Sequence, residues 1–173
     1  MDAVKLEGGR AMADTVRAIS AAGITVIGHI GLTPQSVSQL GGYRVQGRTA
    51  ADAQRLLEDA LALQEAGAAM IVLEMTPDRV AAELSRRLRI PTIGIGAGAG
   101  CDGQVLVLHD MLGMFDRFTP RFVKKYADLF GQMGQALAAY RDDVVQRRFP
   151  GPEHAFPMED AVWEEWRDDG LTR

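Results

Sequence analysis

Polar residues recur where short apolar runs end. Ala3-Val4-Lys5-Leu6-Glu7 runs into Gly8-Gly9, Ile24–Gly28 into His29, Ile71-Val72-Leu73 into Glu74, and Val105–Leu108 into His109-Asp110. Lys5 and Glu7 are two apart, so on a strand they share one face with Cα atoms about 7 Å apart. An ammonium beside a carboxylate can bind an anionic substrate and a hard metal ion together. A plainer explanation stands beside this one. A charged residue closing an apolar strand also marks where the strand reaches solvent, which is enough for Glu7 or Glu74 taken singly. Taken singly, His29 reads as a hydrogen-bonded structural histidine, and His109-Asp110 as a pair that orients a loop. Recurrence at successive run ends is what favours a site.

Two other features suggest chemistry less strongly. Within Gly94–Gly100 and beyond, Gly98, Gly100 and Gly103 match G-x-G-x-x-G. A dinucleotide loop of that kind needs a helix amino terminus after it to hold the pyrophosphate. Here another apolar run follows, so a tight backbone turn at a crowded strand end is expected. Cys101 has no base beside it in sequence that would make it a nucleophile. As the one cysteine, it cannot form an internal disulfide, which fits a reducing cytoplasm.

The elements that must position these residues follow from periodicity. Ala3–Leu6, Ile24–Ile27, Met70–Leu73, Thr92–Ile95 and Val105–Leu108 are short, rich in Val and Ile, and do not alternate with polar residues. Parallel strands buried on both faces read this way. Between them lie helical patterns. Met12, Val16 and Ile19 form one stripe; Ala53, Leu56, Leu57, Ala60 and Leu61 form another, entered by a Thr49…Asp52 capping pair. Thr76 as cap with Pro77 at the first helical position predicts a third helix, striped by Val80, Leu84 and Leu88. Thr119-Pro120 repeats that signal, predicting a long helix through Phe122, Tyr126, Leu129, Met133, Leu137, Tyr140 and Val144.

Strand and helix in alternation imply α/β with a parallel sheet. The count of five strands fits an open doubly wound sheet or a piece of a (β/α)8 barrel, whose complete form typically takes ~250 residues. In both, ligands bind at the carboxyl ends of the strands. Pro150-Gly151-Pro152 closes the regular region, dividing the chain into a domain at 1–152 and a tail at 153–173. The tail holds seven acids and two bases, and the rest is close to neutral within a net charge of −4. Trp163 and Trp166 leave open whether the tail docks or stays free.

Composition excludes several classes. The chain has 173 residues, 47% of them hydrophobic and 24% charged, so it is neither disordered nor fibrous. A near-neutral body, an acidic tail and only 6% aromatic residues argue against nucleic acid as the partner. No apolar run approaches the ~20 residues of a membrane span, and the first residues do not read as a secretory signal.

Several linked stretches together resemble the ketopantoate hydroxymethyltransferase family. They are Val4–Gly9, Gly28–Ser36, Gly41–Arg48, Val72–Glu74, Ile93–Gly98, Asp102–Val107 and Phe149–His154. The resemblance implies a partial (β/α)8 TIM barrel of the phosphoenolpyruvate/pyruvate type, about its last five strand–helix units. It implies transfer of a hydroxymethyl group from 5,10-methylenetetrahydrofolate to 3-methyl-2-oxobutanoate, giving ketopantoate for pantothenate and coenzyme A synthesis, with Mg²⁺. It makes Glu74 the proton acceptor, Lys5 a contact of the keto acid, Glu7 a magnesium ligand, and His29 a residue at the edge of the site. It also implies a cytoplasmic homo-oligomer, a decamer in this family, with small-molecule partners.

The resemblance begins near the fourth strand of the family pattern. Two magnesium-binding aspartates of the family belong to the part before it, and Glu7 alone cannot supply the near-octahedral oxygen shell that Mg²⁺ demands. Two unpaired sheet edges would also favour association. A non-catalytic remnant or assembly partner is therefore the competing expectation. A keto-acid lyase of the same superfamily, without folate, is a third.

Overall fold

The computed structural model describes residues 2–38 and 41–169. Its centre is an all-parallel sheet in the sequential order β1 (Ala3–Glu7), β2 (Thr25–Gly31), β3 (Met70–Glu74), β4 (Thr92–Ile95), β5 (Gly103–Gln104). Crossovers run through α1 (Ala13–Ala21), α2 (Ala50–Glu65) and α3 (Asp78–Arg87). Among the described residues no helix is long and apolar enough to cross a membrane.

The three crossover helices lie against one face of the sheet. Val16 of α1, Leu56, Leu57, Ala60 and Leu63 of α2, and Ala81 and Leu84 of α3 pack on Val26, Ile30, Ile71 and Leu73. Val16, Val26, Leu63, Ile71 and Leu73 are fully buried, each contributing roughly 1.5–3 kcal/mol of burial. The opposite face differs from expectation. In β3, Ile71 and Leu73 are buried while Met70, Val72 and Glu74 are half-buried. The three crossover helices all lie on the other side, so this second face is only partly enclosed, with His29 and Ile95 buried on it.

Local signals explain most boundaries. The Asp52 N–H donates to the Thr49 hydroxyl oxygen at 3.1 Å, the expected cap of α2. Helix α3 starts one residue later than expected. Pro77 takes the cap position and its carbonyl accepts the Ala81 N–H at 2.9 Å, while the Thr76 hydroxyl turns back to the Glu74 carbonyl.

Two expectations need correction. The fifth strand is Gly103–Gln104, paired with Ile93 and Gly94 and extended only by the Val105 N–H bond to the Gly94 carbonyl. Leu108–Met111 then forms the short helix α4, so His109 and Asp110 close no strand. The long helix α5 spans Leu129–Val145 rather than starting at Thr119-Pro120. The Tyr126, Leu129 and Phe130 amides donate to the carbonyls of Met111, Leu112 and Gly113, which ties the segment before α5 to α4 instead of letting it coil.

The glycine-rich stretch is a close-packed turn over α3. A Cβ on Gly98 would lie 2.6 Å from that of Asp78, and one on Gly100 2.5 Å from that of Ala82. No helix amino terminus follows it.

Asp102 pins the β4–β5 turn. Its carboxylate accepts the N–H and the hydroxyl of buried Thr92 at 2.8 and 3.1 Å. The Thr92 backbone bond, then its hydroxyl, hold the Asp102 carboxyl below the usual range. Its stabilisation is therefore complete above the unfolded value near ~4 and is lost as pH falls through the lower folded value. The gap in urea midpoint between wild type and Asp102→Ala should be widest at neutral pH and narrow as pH falls below about 4.

The carboxyl-terminal part packs less. Helix α5 has no buried residue, and Phe130, Met133, Leu137, Tyr140 and Val144 stand exposed along it. Phe149 meets Tyr140 edge-on at 5.6 Å. In α6 (Asp160–Asp169), Trp163 and Trp166 lie 5.2 Å apart and are exposed to solvent. They lean on each other rather than docking on the described domain.

Candidate functional site

Sheet register brings four of the expected residues together. Glu7 of β1 lies directly beside His29 of β2, and Gly31 of β2 beside Glu74 of β3. Side chains alternate along a strand, so Lys5, Glu7, His29 and Glu74 all rise from the face the helices do not cover. Lys5 Nζ lies 3.2 Å from Glu7 Oε1 and 2.9 Å from His29 Nδ1. His29 Nδ1 is 3.6 Å from Glu7 Oε1, and His29 Nε2 is 3.1 Å from Glu74 Oε2.

Within this group His29 lies between the other three. Its side chain is 4% exposed, against 13% for Glu7, 17% for Glu74 and 46% for Lys5. The approach of Nε2 to Glu74 is close but poorly aligned, and the buried Nε2 has no well-formed hydrogen bond. An unsatisfied buried N–H costs roughly 1–3 kcal/mol, and such a group calls for an explanation.

Glu7 is held on both oxygens. Oε1 accepts from Lys5, and Oε2 accepts the Gln35 backbone N–H at 2.9 Å. Burial acts to raise its pKa, but the Gln35 N–H, the Lys5 ammonium and His29 together outweigh it and keep the carboxyl below its ordinary range. The loop after β2 delivers this amide through a short turn at Pro34–Ser36, anchored by buried Leu32. Sequence reasoning missed Gln35, because a main-chain donor has no side-chain signature.

The backbone around Glu74 is tightly specified. Its carbonyl accepts the Leu32 N–H at 2.8 Å. Met75, next in the chain, has φ +46°, a conformation bulky L-residues avoid. Met75 is held there by its N–H bond to the Ile95 carbonyl and by the Gln46 N–H on its own carbonyl. Strain of this kind next to a carboxylate is common at functional sites.

His109 and Asp110 lie away from the group, in α4, and half-buried Cys101 packs against the core. A cavity of about 310 Å³ opens at the same strand ends on the helix side, lined among others by Gly8, Gly31, Gln46, Asp52, Arg55 and Asp59. Its charged groups are engaged: Arg55 pairs with Asp52, and the Asp59 carboxylate accepts the Arg10 backbone N–H. The sheet-face group, with its unaligned buried nitrogen and half-enclosed carboxylates, is the better candidate for chemistry.

A magnesium ion does not fit the described residues alone. Both Glu7 oxygens are engaged, and among the described residues no group of three His, Cys, Asp or Glu side chains is arranged to hold a metal ion. Six oxygen ligands near 2.1 Å are what the ion asks for.

The model of the family described as ketopantoate hydroxymethyltransferase matches residues 1–152. The 3-methyl-2-oxobutanoate hydroxymethyltransferase of Cenarchaeum symbiosum (strain A) is 58% identical over 172 residues, 99% of this chain and 64% of the relative. The protein of that name from Nitratidesulfovibrio vulgaris (strain DP4) is 58% identical over 162 residues, 94% of this chain and 53% of the relative. The one from Chloroflexus aurantiacus is 60% identical over 159 residues, 92% and 56% of the two chains. The chain thus spans between about half and two thirds of the length of these curated relatives.

Proposed function

We propose a function from one premise: the chain belongs to the ketopantoate hydroxymethyltransferase family. The reaction for which its relatives are named is then the one this site serves, as the later part of a (β/α)8 barrel. Sequential parallel order, helices on one face and charged side chains at the carboxyl ends of the other all support that architecture. The barrel part is residues 1–152, where the family match ends, and 153–173 is an accessory tail. Cytoplasmic location and a homo-oligomer, a decamer, belong to the same proposal.

In this reading Lys5, nearly half exposed at the mouth of the site, binds the α-keto acid through its negative oxygens. Glu74 takes the proton from C3 of 3-methyl-2-oxobutanoate. The electron pair left behind delocalises onto the keto oxygen as an enolate, and C3 then attacks the one-carbon unit of 5,10-methylenetetrahydrofolate. The C3–CH2 bond forms as the methylene's two C–N bonds to the folate break; water supplies the hydroxyl oxygen of ketopantoate, and tetrahydrofolate leaves with the proton taken from C3 and the one released by water. Half-enclosed Glu74 is suited to the base role, since partial exclusion of water strengthens a positioned carboxylate. Glu7 offers Mg²⁺ one ligand at most, so the metal of this proposal needs oxygen donors from outside the chain.

One observation carries the proposal: four groups of the right types meet through contacts of 2.9–3.6 Å at one strand edge. The test is folate-dependent ketopantoate formation with Mg²⁺, for the chain alone and mixed with a polypeptide supplying the part of a relative it does not span. Formation in the mixture only is the expected result. The fully engaged Glu7 favours a second reading, an assembly partner without catalysis. Silence of a folded chain under both conditions would establish that reading instead.

A further inference from the structure

We infer that His29 is the positioning residue of Glu74, an N–H donor that fixes which carboxylate oxygen faces the substrate; the inference rests on the function proposed above. The argument begins at the other ring nitrogen. Nδ1 lies 2.9 Å from Lys5 Nζ, and an ammonium has donors only. Nδ1 must therefore be the acceptor, which leaves the ring proton on Nε2. Nε2 belongs to a side chain 4% exposed and lies 3.1 Å from Glu74 Oε2. The alignment is poor in the resting geometry, and a rotation of the Glu74 carboxylate about its last torsion, which is broad and soft, completes the bond. With Oε2 held by His29, Oε1 is the oxygen left to take a proton. The same relay passes the Lys5 charge through the imidazole to the base, so keto-acid binding at Lys5 and base orientation at Glu74 are set by one ring.

The test is a long-range ¹H–¹⁵N spectrum of the full chain. The expected pattern for His29 is a protonated Nε2 and an unprotonated Nδ1, with the Nε2 resonance moved by Glu74→Ala. Assignment uses loss of the signal in His29→Gln. If that variant does not fold, elimination through the exposed His109 and His154, the only other histidines, serves equally. A proton on Nδ1, or an Nε2 resonance indifferent to Glu74→Ala, overturns the inference.

A second measurement reads the role itself: exchange of the C3 proton of 3-methyl-2-oxobutanoate for deuterium in the complemented enzyme. His29→Asn keeps a group near Nδ1 and loses the donor at Nε2. It should lower kcat for exchange about tenfold to a hundredfold with little change in KM. His29→Gln, whose amide reaches the Nε2 position, should restore most of the rate. Equal losses in both variants would mean that His29 only packs. Should wild type exchange nothing, the proposed function fails while the ring spectrum still decides the contact.

Discussion

Glu74→Gln should lower ketopantoate formation by the complemented enzyme by about 10²- to 10⁴-fold, with KM for the keto acid nearly unchanged. Gln has the shape of Glu and can still accept at its carbonyl oxygen, so His29 Nε2, now 3.1 Å from Glu74 Oε2, still faces an acceptor. What is lost is the capacity to take a proton. A loss confined to kcat is the mark of an interaction made only in the transition state. Urea unfolding of the chain serves as control: Gln fills the same volume at the end of β3, so its midpoint should move little. Deuterium exchange at C3 should fall in parallel with turnover. If exchange survives and only turnover falls, proton abstraction belongs to another group and Glu74 acts later, on the folate side.

That Lys5, Glu7, His29 and Glu74 come together was largely legible because they share a property that one dimension can display. Each closes an apolar run, and Lys5 and Glu7 are spaced to share a strand face. What one dimension cannot display is register between strands. Glu7 beside His29 and Gly31 beside Glu74 are facts of pairing, and they place His29 between the other three. Main-chain donors are equally silent: the Gln35 N–H on Glu7 depends on how the loop after β2 turns.

The fold was legible up to β4 for a similar reason. Each of the first three apolar runs is followed by a striped helix, and local and long-range preferences agree. Beyond β4 they diverge. Val105–Leu108 is apolar enough for a strand, but only Val105 finds a carbonyl on β4, and Val107 and Leu108 are exposed. Thr119-Pro120 is a sound helix start, yet the amides that would propagate the helix are taken by Met111–Gly113. The exposed stripe of α5, and the second sheet face, record packing that the described residues do not themselves provide. In the barrel reading, those surfaces are where the remaining units of the relatives' length would lie.

Gly31→Ala should be the most damaging single methyl group in the molecule. Gly31 has φ +92°, and a Cβ there would lie 2.2 Å from the Glu74 carbonyl oxygen and 2.8 Å from Thr76 Oγ1. The left-handed backbone costs an L-residue about 1–2 kcal/mol. The clash adds to this, because its nearest partner is main chain, and that carbonyl also accepts the Leu32 N–H at 2.8 Å. Together these predict a loss of about 3 kcal/mol or more, on the scale reserved for strain at special backbone sites. That is a large share of the 5–15 kcal/mol typical of a domain. Gly23→Ala is the internal control: φ is +82° there too, but nothing lies within 4 Å of the added methyl, so only the conformational cost of about 1–2 kcal/mol applies. Urea midpoints at constant slope separate the two. Equal losses would show that the β2–β3 edge yields, so that the close approach of Gly31 does not hold Glu74 in place. A larger loss at Gly31, accompanied by a changed His29 Nε2 resonance, would tie the position of the base to the one residue small enough to pass beneath it.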